Sequence, residues 1–303
     1  MRITLTVLAL AAAPAFANLI TDVRGAIAHN EFSHASDLIR DYRAANGVTP
    51  EMIEALSWMG RGELAAKNLD DADKYAQETY DLAAAEAKKI PLDSDKYLPI
   101  GLGAAIEVEA DVLAARNQRT EAITYLQDQL KRYYTTSIRM RIQKNINLLS
   151  MEGKPAPALE NVSLPKNTPV LLFFWAHWCP DCKAEIPILA KIKSEFEPKG
   201  LVLIAPTQKY GYTGRGVSAT PEVELAYIEK VRQERYSEII TSPAPVSEEN
   251  FRRYGASTVP TLVLVDRTGI VRLYHPGNMT YEELRQAVES TLSQPTHRAG
   301  GTN

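Results

Sequence analysis

Leu171 to Pro187 reads LLFFWAHWCPDCKAEIP. Val170 to Trp175 is an apolar run with the length and aromatic content of a buried strand. It runs into Trp178, Cys179, Pro180, Asp181 and Cys182, and then into a helical pattern that ends in lysines. Two cysteines two residues apart, where a strand turns into a helix, read as a redox dithiol. They are the only two cysteines among 303 residues. The chemistry is therefore more legible than the substrate.

Outward from this stretch, the chain is long enough for about two domains of ~100–200 residues each. Apolar residues make up 45% and charged residues 23%, an ordinary globular balance. The formal net charge of −3 gives no reason to expect nucleic acid as a partner. Met1 to Ala17 reads as a secretory signal peptide. Arg2 is its positive start, and Ile3 to Ala13 is an apolar core too short for a bilayer, which needs ~20 residues. Ala15-Phe16-Ala17 is a small-x-small cleavage site. Removing Arg2 leaves a mature chain at −4. No cysteine follows the apolar core, so no lipid-anchored cysteine is expected. The expectation is an exported protein, periplasmic or otherwise extracytoplasmic, soluble after cleavage. Such a compartment suits disulfide chemistry.

Residues 18–150 read as a helical-hairpin domain. Ala28-His29-Asn30 is followed by Ala35, Ala66-Lys67-Asn68 by Ala72, and Ala115-Arg116-Asn117 by Ala122. Each Asn stands between two amphipathic runs, where it or a neighbour ends the first helix in a left-handed cap. The spacing is irregular, and the pattern resembles a degenerate tetratricopeptide array. Arrays of this kind commonly present a concave face to a protein partner. The plainer alternative is packing or dimerisation. Tyr133, Tyr134, Arg139, Met140 and Arg141 suggest either a docking face or half-buried packing residues with solvated charges.

Lys154 to Leu159, with Pro155 and Pro157, is the linker into a second domain over residues 151–293. The pattern predicts a short edge strand over Leu159–Leu164 and a helix over Ala184–Phe196. A strand over Leu201–Ala205 and a helix over Pro221–Arg235 follow. A short strand at Ser237–Thr241 and a short helix at Glu248–Tyr254 come next. Thr261–Asp266 and Ile270–Tyr274 form a hairpin around Arg267-Thr268-Gly269. Tyr281–Leu292 is the closing helix, capped by Thr280 with Glu283. Residues 294–303 form a polar, flexible tail.

Residues 153–292 resemble the TlpA/ResA branch of extracytoplasmic thioredoxin-like proteins. The resemblance rests on Gly153-Lys154-Pro155-Ala156-Pro157, Trp175-Ala176-His177-Trp178-Cys179, Cys182 with Glu185 and Pro187, and Val259-Pro260-Thr261. The expected architecture is α + α/β: helical hairpins followed by a thioredoxin-like α/β/α domain with a central mixed sheet. The resemblance implies a cis peptide bond at Pro260 and a role for Val259 in presenting its backbone to an extended peptide, beside Trp178. It also implies a membrane thiol electron donor and exported disulfide-bearing proteins as substrates, apocytochromes c among them.

The thiolate is the nucleophile, so the attacking cysteine should be exposed with a lowered pKa. Cys179 opens the helix, where free N–H groups favour negative charge. Pro180 fits the first helical position. Cys182 is the shielded, resolving thiol. Asp181 opposes the helix start by raising the thiolate's pKa, which favours a reducing couple. Many thioredoxins carry a buried Asp six residues before the first cysteine. Phe173 stands there in this chain, so Glu185 is the candidate proton acceptor. His177 is either a cation that helps the thiolate or a solvent-facing loop residue.

No cofactor beyond the Cys179–Cys182 disulfide is expected. Zinc wants four ligands, which two cysteines and scattered histidines supply poorly. Lys183 after Cys182 excludes covalent haem. The rival enzyme is a peroxiredoxin-like thiol peroxidase, disfavoured by Trp178 where a Thr-x-x-Cys would be needed. The rival non-enzyme is a helical scaffold with a non-catalytic binding domain. Lys209 to Gly216 reads as a mobile loop near the site, without a phosphate-binding motif.

Overall fold

The computed structural model describes residues 18–293, so the expected leader at 1–17 and the tail at 294–303 lie outside the described residues. The chain divides into two compact units between Ala122 and Ile123. Among the described residues no helix is long and apolar enough to cross a membrane.

The first unit is helical throughout. α1 (Leu19–Ala28) and α2 (Phe32–Asn46) form one hairpin, and α3 (Pro50–Ala65) and α4 (Leu69–Glu86) the next. α5 (Leu98–Ala115) leads through a third tight turn into α6 (Arg119–Arg132), which carries the boundary. The turns reverse through left-handed residues Asn30, Lys67 and Asn117. In the middle copy the strained residue is Lys67, while Asn68 caps α4. The alanines Ala35, Ala72 and Ala122 are all buried, as close helix packing requires.

α7 (Arg139–Ser150) belongs with the second unit, which moves the boundary upstream of the expected residue 150. Later contacts draw it there. Asn147 Nδ2 donates to the Tyr254 carbonyl at 2.8 Å. Gly255, with φ +57, passes so close that a Cβ would stand 2.7 Å from Lys144 N. Only a glycine combines that approach with that backbone conformation.

The sheet of the second unit has the order β2-β1-β3-β4. β1 (Val170–Phe174) pairs in parallel with β2 (Val202–Ile204) and antiparallel with β3 (Thr261–Val265), which pairs with β4 (Val271–Pro276). The sheet is therefore mixed, as expected. β1 is buried on both faces, and its residues divide by the period of two. Leu171 and Phe173 join a core with Leu189, Ile192, Phe196, Leu284 and Val288. Val170, Leu172 and Phe174 join a second core with Phe251 and Tyr254. The covering helices are α8 (Pro180–Ala184), α9 (Ile186–Phe196), α10 (Pro221–Arg235), α11 (Glu248–Tyr254) and α12 (Tyr281–Ser293). Thr280 and Glu283 form the reciprocal cap of α12.

Three local expectations differ from the structure. The helix after the cysteines begins at Pro180 and breaks at Glu185, because Pro187 has no N–H to continue the ladder. Leu159–Leu164 is no strand: Asn161 is left-handed and the Glu160 N–H is taken by Asn250 Oδ1 at 2.7 Å. Ser237–Ile239 is a 3-10 turn, with the Arg232 guanidinium donating to the Ile240 and Ser242 carbonyls. The segment that runs beside the end of β2 is instead 243–246. Its Pro243 and Pro245 carbonyls accept from Ala205 and Thr207. Prolines cannot return the donors, so no regular strand forms.

Candidate functional site

β1 ends at Phe174, and the chain carries on through Trp175, whose Nε1 donates to the Ala205 carbonyl at 2.9 Å. The Thr207 hydroxyl donates to the Trp175 carbonyl at 2.8 Å. These bonds hold the segment that delivers Cys179 to the start of α8. Cys179 and Cys182 form a disulfide. The Cys182 backbone N–H donates to Cys179 Sγ at 3.0 Å, so Cys179 is the N-cap of its own helix. Pro180 fills the first helical position and has no amide hydrogen to leave unpaired.

Cys179 is only 2% exposed, against the expectation of an exposed thiol. In the disulfide both cysteines belong to the same core as Leu171 and Phe173. Cys182 is fully buried, as the resolving role requires. Trp178 beside them is 44% exposed. Asp181 is exposed, and its carbonyl accepts from Asn278 Nδ2 at 3.1 Å. The Val259–Pro260 bond is cis. The Val259 carbonyl oxygen lies 3.5 Å from Cys179 Sγ. The structure thus sets the Val259 carbonyl, before the cis Pro260, against Cys179 Sγ, leaves Trp178 exposed next to Cys179 in the chain, and puts Asp181 in the first turn of α8.

Glu185 sits at the break between α8 and α9 and is fully buried. Its Oε1 accepts the Met279 N–H at 3.3 Å, while Oε2 has no partner. Burial pushes its carboxyl above the usual range, against hydrogen bonds from the Met279 backbone and the Asn278 side chain. It is one helical turn beyond Cys182, the place for a group that exchanges a proton with that thiol.

His177 fits neither expected role. It is 1% exposed, and burial lowers its pKa, so at neutral pH it carries no charge to lend the thiolate. Its Nε2 lies 3.2 Å from Glu224 Oε1. The rings of Tyr210, Tyr212 and Tyr227 stand edge-on around it. Sequence reasoning missed Asn278, Met279 and Glu224. Asn278 reaches a backbone carbonyl and Met279 acts through its own backbone N–H, partners that no residue type announces. Glu224 stands in the first turn of α10, where an acid is ordinary and announces no special role.

The buried Glu185 has a thermodynamic consequence. Its folded pKa lies above the unfolded one, near ~4.3. The protonated form is therefore favoured in the fold, and stability is lost as pH rises from ~4.3 to the folded pKa, by at most ~1.4 kcal/mol per pH unit. Glu185→Gln does not titrate. Thermal melts across pH 4 to 8 (about the range of carboxyl and imidazole titration) should show the variant's stability rising relative to the wild type through that window. A difference independent of pH would contradict the burial argument.

Residues 158–292 match the family described as a thioredoxin-like domain. The thioredoxin-like protein YneN of Bacillus subtilis is 27% identical over 148 residues, covering 46% of this chain and 79% of YneN. The thiol-disulfide oxidoreductase ResA of Geobacillus thermodenitrificans is 27% identical over 123 residues, covering 40% of this chain and 62% of ResA. The thiol:disulfide interchange protein DsbE of Xylella fastidiosa is 26% identical over 159 residues, covering 48% of this chain and 71% of DsbE. Residues 158–292 thus form a thioredoxin-like domain with a Cys-x-x-Cys pair opening the first helix after β1, and its homologues include YneN and proteins named thiol-disulfide oxidoreductase ResA and thiol:disulfide interchange protein DsbE.

Proposed function

We propose that this chain is an exported thiol–disulfide oxidoreductase that reduces protein disulfides. The observation that carries the reading is the Cys182 N–H bond to Cys179 Sγ, which favours a thiolate on Cys179 over one on Cys182. In the reduced enzyme the Cys179 thiolate attacks a substrate disulfide. A Cys179–substrate disulfide forms, and one substrate thiolate leaves and takes up a proton. Cys182 then gives its proton to Glu185 and attacks Cys179 Sγ. The intramolecular disulfide forms, and the second substrate thiol departs with a proton. Two electrons pass from the dithiol to the substrate, so a thiol donor must reduce the enzyme again. A membrane thiol carrier is the donor we propose, and the only redox group required is the Cys179–Cys182 pair.

Trp178, Val259 and Pro260 are the proposed substrate contacts, a reading supported by the Val259 carbonyl 3.5 Å from Cys179 Sγ. The helical unit is the proposed seat of a protein partner.

Insulin reduction in the presence of dithiothreitol should be accelerated by the wild type and not by Cys179→Ser. Cys182→Ser should accumulate a mixed disulfide through Cys179. A wild type no faster than dithiothreitol alone would overturn the reductase reading.

Asp181 is the proposed reducing influence. At ~5 Å and an effective dielectric of ~20 a charge pair is worth roughly 3 kcal/mol. Solvent leaves an exposed residue a fraction of that, about 1 kcal/mol. Asp181→Asn should raise the reduction potential by about 10–30 mV, measured by equilibration with glutathione. A more negative potential would show that Asp181 serves the helix start alone.

A further inference from the structure

Glu224 is 1% exposed, an unusual place for an acid in the first turn of a helix. Its Oε1 accepts the Tyr210 N–H at 2.5 Å and its Oε2 the Gly211 N–H at 2.8 Å. Its Oε1 also meets His177 Nε2 at 3.2 Å. One buried carboxylate thus ties the segment after β2 to the residue two before Cys179.

The segment it holds is a closed turn. Thr213 N–H donates to Val217 O at 2.8 Å, and Ala219 N–H to Gly211 O at 3.0 Å. Gly214 passes close to the Tyr227 hydroxyl, where a Cβ would stand 2.7 Å away. The turn carries Tyr210 to Trp178, edge to face, with ring centroids 5.4 Å apart. Trp178 is the large aromatic left exposed beside Cys179, and Val217 on the same turn is also exposed. The Val259 carbonyl lies 3.5 Å from Cys179 Sγ.

We infer that Glu224 is a positioning residue that fixes the Tyr210–Trp178 pair as one wall of a groove for the polypeptide flanking a substrate disulfide, so that the enzyme prefers peptide disulfides with apolar neighbours over small ones. The inference rests on the reductase reading above. The occupant is a polypeptide because the wall offers aromatic surface and the Val259 side offers a backbone carbonyl, an apolar and a main-chain contact respectively. A small disulfide reaches the sulfur but has no chain to lay on the wall.

The test compares two substrates in the full chain: a disulfide-linked peptide dimer with apolar residues beside its cysteines, and hydroxyethyl disulfide. Glu224→Ala should lose about tenfold more kcat/KM with the peptide than with hydroxyethyl disulfide, mainly through KM. Glu224→Gln keeps one carbonyl oxygen for Tyr210 N–H and His177 and should lose less. Tyr210→Ala removes the wall without touching the buried acid, and should reproduce the selective loss. It decides the matter alone if Glu224→Ala does not fold. Equal losses with both substrates, or no loss with the peptide, would overturn the inference. A wild type that reduces neither substrate would overturn the reductase reading and this inference with it, whereas wild-type turnover without substrate selectivity in the variants sinks the inference only.

Discussion

The site depends on one hydrogen bond, from the Cys182 backbone N–H to Cys179 Sγ at 3.0 Å. It makes a sulfur the N-cap of the helix, a position that calls for an acceptor and rewards negative charge. The bond forms only if Cys179 leaves the strand with extended backbone just as the helix begins, and its φ of −73 and ψ of 115 meet that condition. The strand in turn is held by β2 on one side and β3 on the other, with a separate core on each face. A helix start anywhere else along the chain would give the same local geometry but not the same rigid delivery.

Around that bond the domain buries acids that a stable core would not choose. Glu185 keeps one oxygen without a partner, and His177 keeps Nδ1 without one. Each such group costs about 1–3 kcal/mol relative to a satisfied one. Glu224 is better served, with two backbone donors and an imidazole. The contrast separates two kinds of buried charge. Glu185 is left under-satisfied next to the resolving thiol, where a group that takes up and gives back a proton needs an accessible protonated form. Glu224 is fully engaged, as a group that holds a loop should be.

The continuous apolar run at β1, the hairpin around Gly269, the Thr280–Glu283 cap and the Cys-x-x-Cys helix start were legible because each is a local pattern. The alternation of α and β gave the order of the second unit for the same reason. What escaped depends on residues far apart in the chain. Leu159–Leu164 has the composition of a strand, yet Asn250 takes its donor from ninety residues away. His177 read as a helpful cation or a solvent-facing loop residue because nothing near it in sequence buries it; Glu224 and three tyrosines between 210 and 227 do so. The assignment of α7 to the second unit follows from Asn147 bonding the Tyr254 carbonyl and Gly255 lying against Lys144, pairings no periodicity reports. The loop at Lys209–Gly216 read as mobile from its glycines, and its closure rests on an acid in the following helix.

The most direct measurement of the central claim is the pH dependence of alkylation at each cysteine in the reduced protein, read by mass spectrometry. The account predicts that Cys179 is labelled first, with a midpoint below the ordinary thiol value of ~8.5, while Cys182 stays protected to higher pH. Faster labelling of Cys182, or equal midpoints for the two, would contradict it.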